Sequence, residues 1–254
     1  MQSGDRERTW RQEWLSRGRV FAILIAMASA VILDCDCDGP RSLRNVVVLV
    51  DETLSFDMRS ETGERSHLWP DALEKTATIV QRLDEGDRFW MIRIDSSGGE
   101  DEDVPSFPTS QLPFTVPHEI TRFAKQRTLA REILDLQQRP NPAPGTDIFG
   151  ALEYAAELAS RSAPGEPKRE CVVLIFSDMV PDRNDPEFKT TTRRFPEGTR
   201  LYCLDVVAKG MAMWDARVER WIAQFRRFGV EVKPSDFFNV RESADAVNSL
   251  FPPR

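Results

Sequence analysis

The chain has 254 residues, enough for one sizeable α/β domain with a short appendage. Its 41 acidic residues outnumber 34 basic ones for a formal net charge of -7, which argues against a general nucleic-acid-binding surface. Two histidines and four cysteines without zinc-finger spacing argue against histidine-rich metal chemistry and a histidine-based catalytic apparatus.

The amino terminus reads as a targeting or anchoring segment. Arg6, Arg8, Arg11, Arg17 and Arg19 precede an uncharged apolar run from Val20 to Leu33, the layout of a secretory signal. The run is short for a membrane span, which needs about 20 residues. Ala28-Ser29-Ala30 offers a small-residue cleavage pattern. Cys35 is a tempting lipid-anchor residue, but Asp34 stands where a bacterial lipoprotein signal wants a small side chain. The competing reading is a buried amino-terminal strand or helix. Positive charge before the run and Asp34, Asp36 and Asp38 after it favour an exported remainder, periplasmic, extracellular or membrane-anchored. Residues 1–40 are therefore expected to form leader and linker, and residues 41–254 the folded domain.

After the turn-like Asp38-Gly39-Pro40, strand and helix alternate. Val46 to Val50 reads as a fully buried strand. Ser66 to Leu83 reads as a helix, with Pro70 in its first turn and Leu73, Ala77, Val80 and Leu83 at helical spacing; Gly86 follows. Phe89 to Ile94 supplies the next strand. Ser96 to Pro117 is loop-like, with an edge strand expected near Gln111 to Val116. Helices are expected at His118–Gln138 and Asp147–Arg161, joined by a proline-broken connector. Strands follow at Cys171–Phe176 and Leu201–Val207, separated by the charged loop Pro181–Gly198. Trp214–Phe228 reads as an amphipathic helix whose Trp214, Trp221 and Phe225 stripe suits core packing. Val230–Val232 is expected to be a short strand and Ser243–Phe251 a closing helix. Cys171 and Cys203 fall inside apolar strand runs, where buried free thiols are the common outcome.

This order implies a doubly wound, mostly parallel central sheet with helices on both faces, a Rossmann-like α/β fold behind an amino-terminal hydrophobic helix. Three stretches then stand out. Asp51-Glu52-Thr53-Leu54-Ser55 follows the first strand, Pro144-Gly145-Thr146-Asp147 opens a helix, and Ser177-Asp178 follows the strand ending at Phe176. If those two strands are central neighbours, Asp51 and Asp178 emerge together at the carboxyl edge, where open α/β sheets bind ligands. Carboxylates and hydroxyls there make an oxygen-lined pocket for a hard divalent cation, and no nucleophile or histidine base accompanies them. Taken alone, each residue reads better as a cap, Asp51 and Ser55 of the turn after the strand and Thr146 or Asp147 of its helix; only the set points to metal.

The set resembles the von Willebrand factor A (vWA) domain with a metal-ion-dependent adhesion site (MIDAS). That family's Asp-x-Ser-x-Ser element is matched by Asp51, Thr53 and Ser55, with Thr53 in place of the first serine. Its later threonine is matched by Thr146 and its last aspartate by Asp178. Met179 stands where a small residue or glycine often follows, and is expected to narrow the mouth of the site. The resemblance implies a Mg2+ ion (or Mn2+ or Ca2+) held by Thr53 or Ser55 and Thr146 directly, and by Asp51 and Asp178 partly through water. It also implies an acidic side chain of a protein partner completing the shell, hence a non-enzymatic adhesion or scaffold module. Glu52, Asp57 and Asp147 are expected to act as neighbouring charges or caps, and Asp182 and Asp185 as solvated loop residues.

Two alternatives differ in kind. Asp36-Cys37-Asp38-Gly39 after an apolar run resembles the nucleophile motif of haloacid-dehalogenase-like phosphohydrolases, which use Mg2+. Pro40 and the basic leader depart from that pattern. The other alternative is a metal-free vWA domain serving only structural contact. Cys35-x-Cys37 is too small a set for a soft-metal site.

Overall fold

Asn45 to Val50 has almost no polar break, and it forms the middle of β1 (Arg44–Asp51), buried from Asn45 onward. A strand so uniformly apolar needs cover on both faces. The computed structural model describes residues 43–52, 68–94, 106–108, 116–138, 146–161, 167–180, 191–207 and 210–253, with the backbone alone at 106–108 and 116–121. The further elements are α1 (Leu68–Gln81), β2 (Arg88–Ile94), β3 (Ser106–Pro108), α2 (Val116–Asp135), α3 (Ile148–Ser160), β4 (Glu170–Phe176), β5 (Arg200–Val206), α4 (Met211–Arg227), β6 (Phe237–Asn239) and α5 (Val240–Leu250).

Among the described residues the sheet runs β3-β2-β1-β4-β5-β6. All pairs are parallel except β2–β3, which is antiparallel. The chain builds outward from β1 on one side, returns, and builds outward from β4 on the other. Strand order therefore reverses between β1 and β4. Alternate strand residues serve two cores. Val46, Val48 and Val50 meet residues of α1, α2 and α5, while Val47 and Leu49 meet those of α3 and α4. This is the doubly wound arrangement expected from the alternating pattern.

Three expectations about local structure need correction or placing. The edge strand lies at Ser106–Pro108, whereas Val116 opens α2; residues 109–115 are outside the described set. Val230 and Val232 are buried but not in a strand. Gly229 has φ +77, and the amides of Gly229 and Val230 donate back to Arg226 and Phe225 carbonyls. That paired cap uses the Val230 amide to end α4. The sheet edge goes to Phe237–Asn239 instead. Finally, α5 begins three residues earlier than its apolar spacing implies. Asn239 accepts from the Arg241 and Glu242 amides while Glu242 accepts from the Asn239 amide, a capping box that nucleates the helix there.

Cys171 and Cys203 are buried free thiols. Burial pushes Cys171 up to about 11 and Cys203 well above its ordinary value, so both are held as unreactive thiols. Trp221 and Phe225 stack within the core with Trp214 packed against it, as expected for the apolar stripe of α4.

Candidate metal centre at the carboxyl edge

Parallel register decides which residues leave the sheet together. Val50 of β1 lies beside Phe176 of β4, and Phe176 beside Leu204 of β5. The next residue on each is Asp51, Ser177 and Asp205. At the point of strand reversal this places Asp51 next to Ser177-Asp178.

Asp51 is 0% exposed, and its Oδ2 accepts a hydrogen bond from Ser177 Oγ at 2.7 Å. The same hydroxyl accepts from the Met179 amide at 2.9 Å. Asp178 is 6% exposed, and its Oδ1 accepts from the Val180 amide at 2.8 Å, folding the chain sharply after β4. The Asp178 carbonyl accepts from Arg217 Nη1 at 3.0 Å, and the Met179 carbonyl accepts from Trp221 Nε1 at 2.9 Å. One face of α4 thus grips two successive carbonyls of the turn. Burial lowers the Arg217 pKa, while the nearby Asp178 carboxylate opposes that shift.

Met179 has φ 56, the left-handed region where glycine is easiest, which gives a physical reason for a small residue there. Its side chain is 0% exposed and packs into the core with α3 and α4. It does not narrow the mouth of the site, contrary to the expectation from sequence. Exposed Val180 follows it.

Thr146 reaches the same edge from another element. Asn45 Nδ2, near the start of β1, donates to the Ala159 carbonyl near the end of α3, and Arg88 at the start of β2 donates to the Arg161 carbonyl. The helix therefore runs against the strands. From Ala159 back to Ile148 is about 16 Å of helix, against about 20 Å of strand from Asn45 to Asp51. Its amino terminus accordingly lies toward the carboxyl edge. Asp147 caps it, accepting from the Gly150 amide at 2.7 Å. Thr146, just before, is 6% exposed, and its hydroxyl has no hydrogen-bond partner among the described residues.

Glu52 acts as a neighbouring charge, its Oε2 accepting from Arg93 Nη1 at 3.0 Å. Thr53, Ser55, Asp57, Gly145, Asp182 and Asp185 lie outside the described residues. So do Asp36, Asp38, Cys35, Cys37 and the apolar run 20–33. Among the described residues no helix is long and apolar enough to cross a membrane. Among them, too, no three carboxylate, imidazole or thiol side chains cluster as a metal site. What the described edge offers instead is all oxygen: carboxylates of Asp51 and Asp178, hydroxyls of Ser177 and Thr146. That donor chemistry, with a Thr146 hydroxyl that no described residue engages, fits a hard cation such as Mg2+ better than a soft one.

Sequence reasoning included Ser177 in an oxygen-bearing stretch without making it a ligand or a bridge, and it assigned no role to Arg217 or Asp205. Ser177 carried a signal, a hydroxyl directly after a buried strand. Arg217 and Asp205 carried none, because their partners are 39 and 130 residues away.

No family model matches the sequence, and no curated protein matches it. Among solved structures, the fold is similar to proximal thread matrix protein 1 from the mussel byssus with a zinc-occupied MIDAS motif. That match has 13% identity and a TM-score of 0.48, covering 83% of this chain and 46% of that one. It is also similar to the pilus adhesin SpaC from Lactobacillus rhamnosus GG, at 14% identity and a TM-score of 0.48 over 84% of this chain and 30% of that one. A third is the ArnB paralog VWA2 from Sulfolobus acidocaldarius, at 13% identity and a TM-score of 0.44 over 83% and 44% of the two chains. The chain thus spans less than half the length of each of these proteins.

Proposed function

We propose that this chain is a vWA-type, divalent-cation-dependent protein-binding module whose ion sits at the carboxyl edge between β1 and β4. The observation that carries this reading is the meeting of Asp51 with Ser177-Asp178 at the strand reversal, sealed by the 2.7 Å bond between Ser177 Oγ and Asp51 Oδ2. Thr146 supplies a hydroxyl from the start of α3, and Thr53 and Ser55 are the hydroxyl donors that follow Asp51 in sequence. Mg2+ is the expected ion, with Mn2+ or Ca2+ as substitutes.

When bound, the ion supplies an open coordination position for an acidic side chain of a protein partner. The protein's own residues orient and hold it. Asp51 is kept in one rotamer by Ser177, and Asp178 by the amide of Val180. The one described hydroxyl of the donor set that is paired with a carboxylate, Ser177 on Asp51, is fully buried and offers a substrate no line of attack, and the set holds no histidine, so the output we propose is binding rather than catalysis. The arginine-flanked run 20–33 is the proposed export or membrane-anchoring segment that places the domain outside the cytoplasm.

The test is a titration of Mg2+ and Mn2+ into the protein while its melting temperature is followed. An ion bound preferentially by the folded state raises that temperature by several degrees at saturating concentration. Asp51→Asn, which keeps the side-chain shape, should abolish the rise. An equal rise in wild type and Asp51→Asn, or none in wild type, rejects the site.

A further inference from the structure

Arginines flank the Asp51–Asp178 edge on both sides, and they are used differently. Arg93 on β2 donates to the Glu52 carboxylate at 3.0 Å, so its charge is balanced locally. Half-buried Arg217 on α4 donates to the Asp178 main-chain carbonyl at 3.0 Å. Among the described residues no carboxylate lies within ion-pair distance of it.

Nor is Arg217 needed to hold the turn. Ser177 Oγ, the Asp178 carboxylate and the Trp221 indole already engage the amides of Met179 and Val180 and the Met179 carbonyl. What the guanidinium adds is a fixed positive charge beside one of the two carboxylates. A guanidinium cannot shed that charge at any physiological pH.

We infer that Arg217 is a resident counter-charge that keeps the affinity of this edge for a bare divalent cation low, so that the ion is held fully only together with an anionic partner group. The inference rests on the cation-site reading and concerns the regulation of that site. With water-like screening at this solvent-facing edge, repulsion between a unit charge and a doubly charged ion several ångströms away changes affinity by about three- to thirtyfold. A partner carboxylate offsets that repulsion. Coupling between ion and partner is reciprocal, so the ion in turn tightens the partner.

The experiment measures Mn2+ binding to the full chain by electron paramagnetic resonance of the free ion, at low ionic strength. It compares wild type, Arg217→Met and Arg217→Lys. Arg217→Met should bind Mn2+ about three- to thirtyfold more tightly, with the gain shrinking at about 0.5 M salt as charge is screened. Arg217→Lys, which retains the charge, should stay within about twofold of wild type. The NMR signal of the Trp221 indole N–H reports the turn and should be unchanged in all three proteins. Equal affinity in wild type and Arg217→Met overturns the role of Arg217 while leaving the cation site standing. Weaker binding by Arg217→Met together with a shifted Trp221 signal makes the arginine a structural support and also overturns it. Mn2+ binding by none of the three removes the site and this inference together.

Discussion

Ser177 Oγ donates to Asp51 Oδ2 at 2.7 Å across two adjacent parallel strands, joining residues 126 positions apart in the chain. The same oxygen accepts the Met179 amide, so one hydroxyl ties a buried carboxylate to the turn that carries Asp178. Ser177→Ala strips a donor from the Asp51 carboxylate and an acceptor from a buried amide. It should cost about 1–3 kcal/mol of stability, measured by urea unfolding. A loss within experimental error of zero would mean that the bond carries no load in the folded state.

Thr146 makes a complementary case. Its hydroxyl has no partner among the described residues, so Thr146→Ala removes little that the fold uses. Stability should change by less than about 1 kcal/mol, while Mn2+ affinity falls by about tenfold or more. Calorimetric titration checks the second figure. Unchanged ion affinity would take Thr146 out of the site.

Lys75 and Asp205 form a buried pair on the opposite face of the sheet, Nζ to Oδ1 at 2.7 Å, with Lys75 8% and Asp205 0% exposed. Asp205 has φ 61 and sits in the irregular part of the β5–β6 register, which turns its side chain toward α1. Its Oδ2 is buried with no hydrogen-bond partner. Lys75→Met should therefore cost about 3–5 kcal/mol, because it leaves a buried carboxylate uncompensated. Adding Asp205→Asn, which tolerates the same backbone conformation, should recover part of that loss. A double-mutant cycle showing strict additivity would contradict the coupling.

Acid titration tests the same carboxylate differently. Burial raises the Asp205 pKa above its ordinary 3.8, with the Lys75 ammonium and Ser243 hydroxyl pulling it back. A folded-state pKa above the unfolded one means that the folded protein binds the proton more tightly. The resulting stabilisation is complete below pH 3.8 and is lost as pH rises through the folded-state value. Wild-type stability relative to Asp205→Asn should accordingly fall as pH rises across that window. A difference that grows with pH would reverse the sign and the cause.

Much of the architecture was legible because it depends on local pattern. The unbroken apolar runs at 46–50 and 171–176 could serve only as strands covered on both faces, and alternation with amphipathic helices implied a parallel sheet. Helix and strand ends shifted by a few residues where hydrogen bonds outweighed apolar spacing, as at the Asn239–Glu242 capping box. Val230–Val232 misled because alternating burial also suits a chain leaving a helix through the cap at Gly229. Met179 misled because its backbone sign, rather than its size, directs the side chain inward.

Composition and order in the chain determined the layered fold and put Asp51 and Asp178 at strand ends, since hydrophobic runs must be buried and polar residues end them. Only the tertiary structure decided that those two ends are neighbours, that Ser177 bridges them, and that Arg217 stands beside Asp178. Such pairings depend on strand order and helix docking, which bring together groups that no local spacing relates.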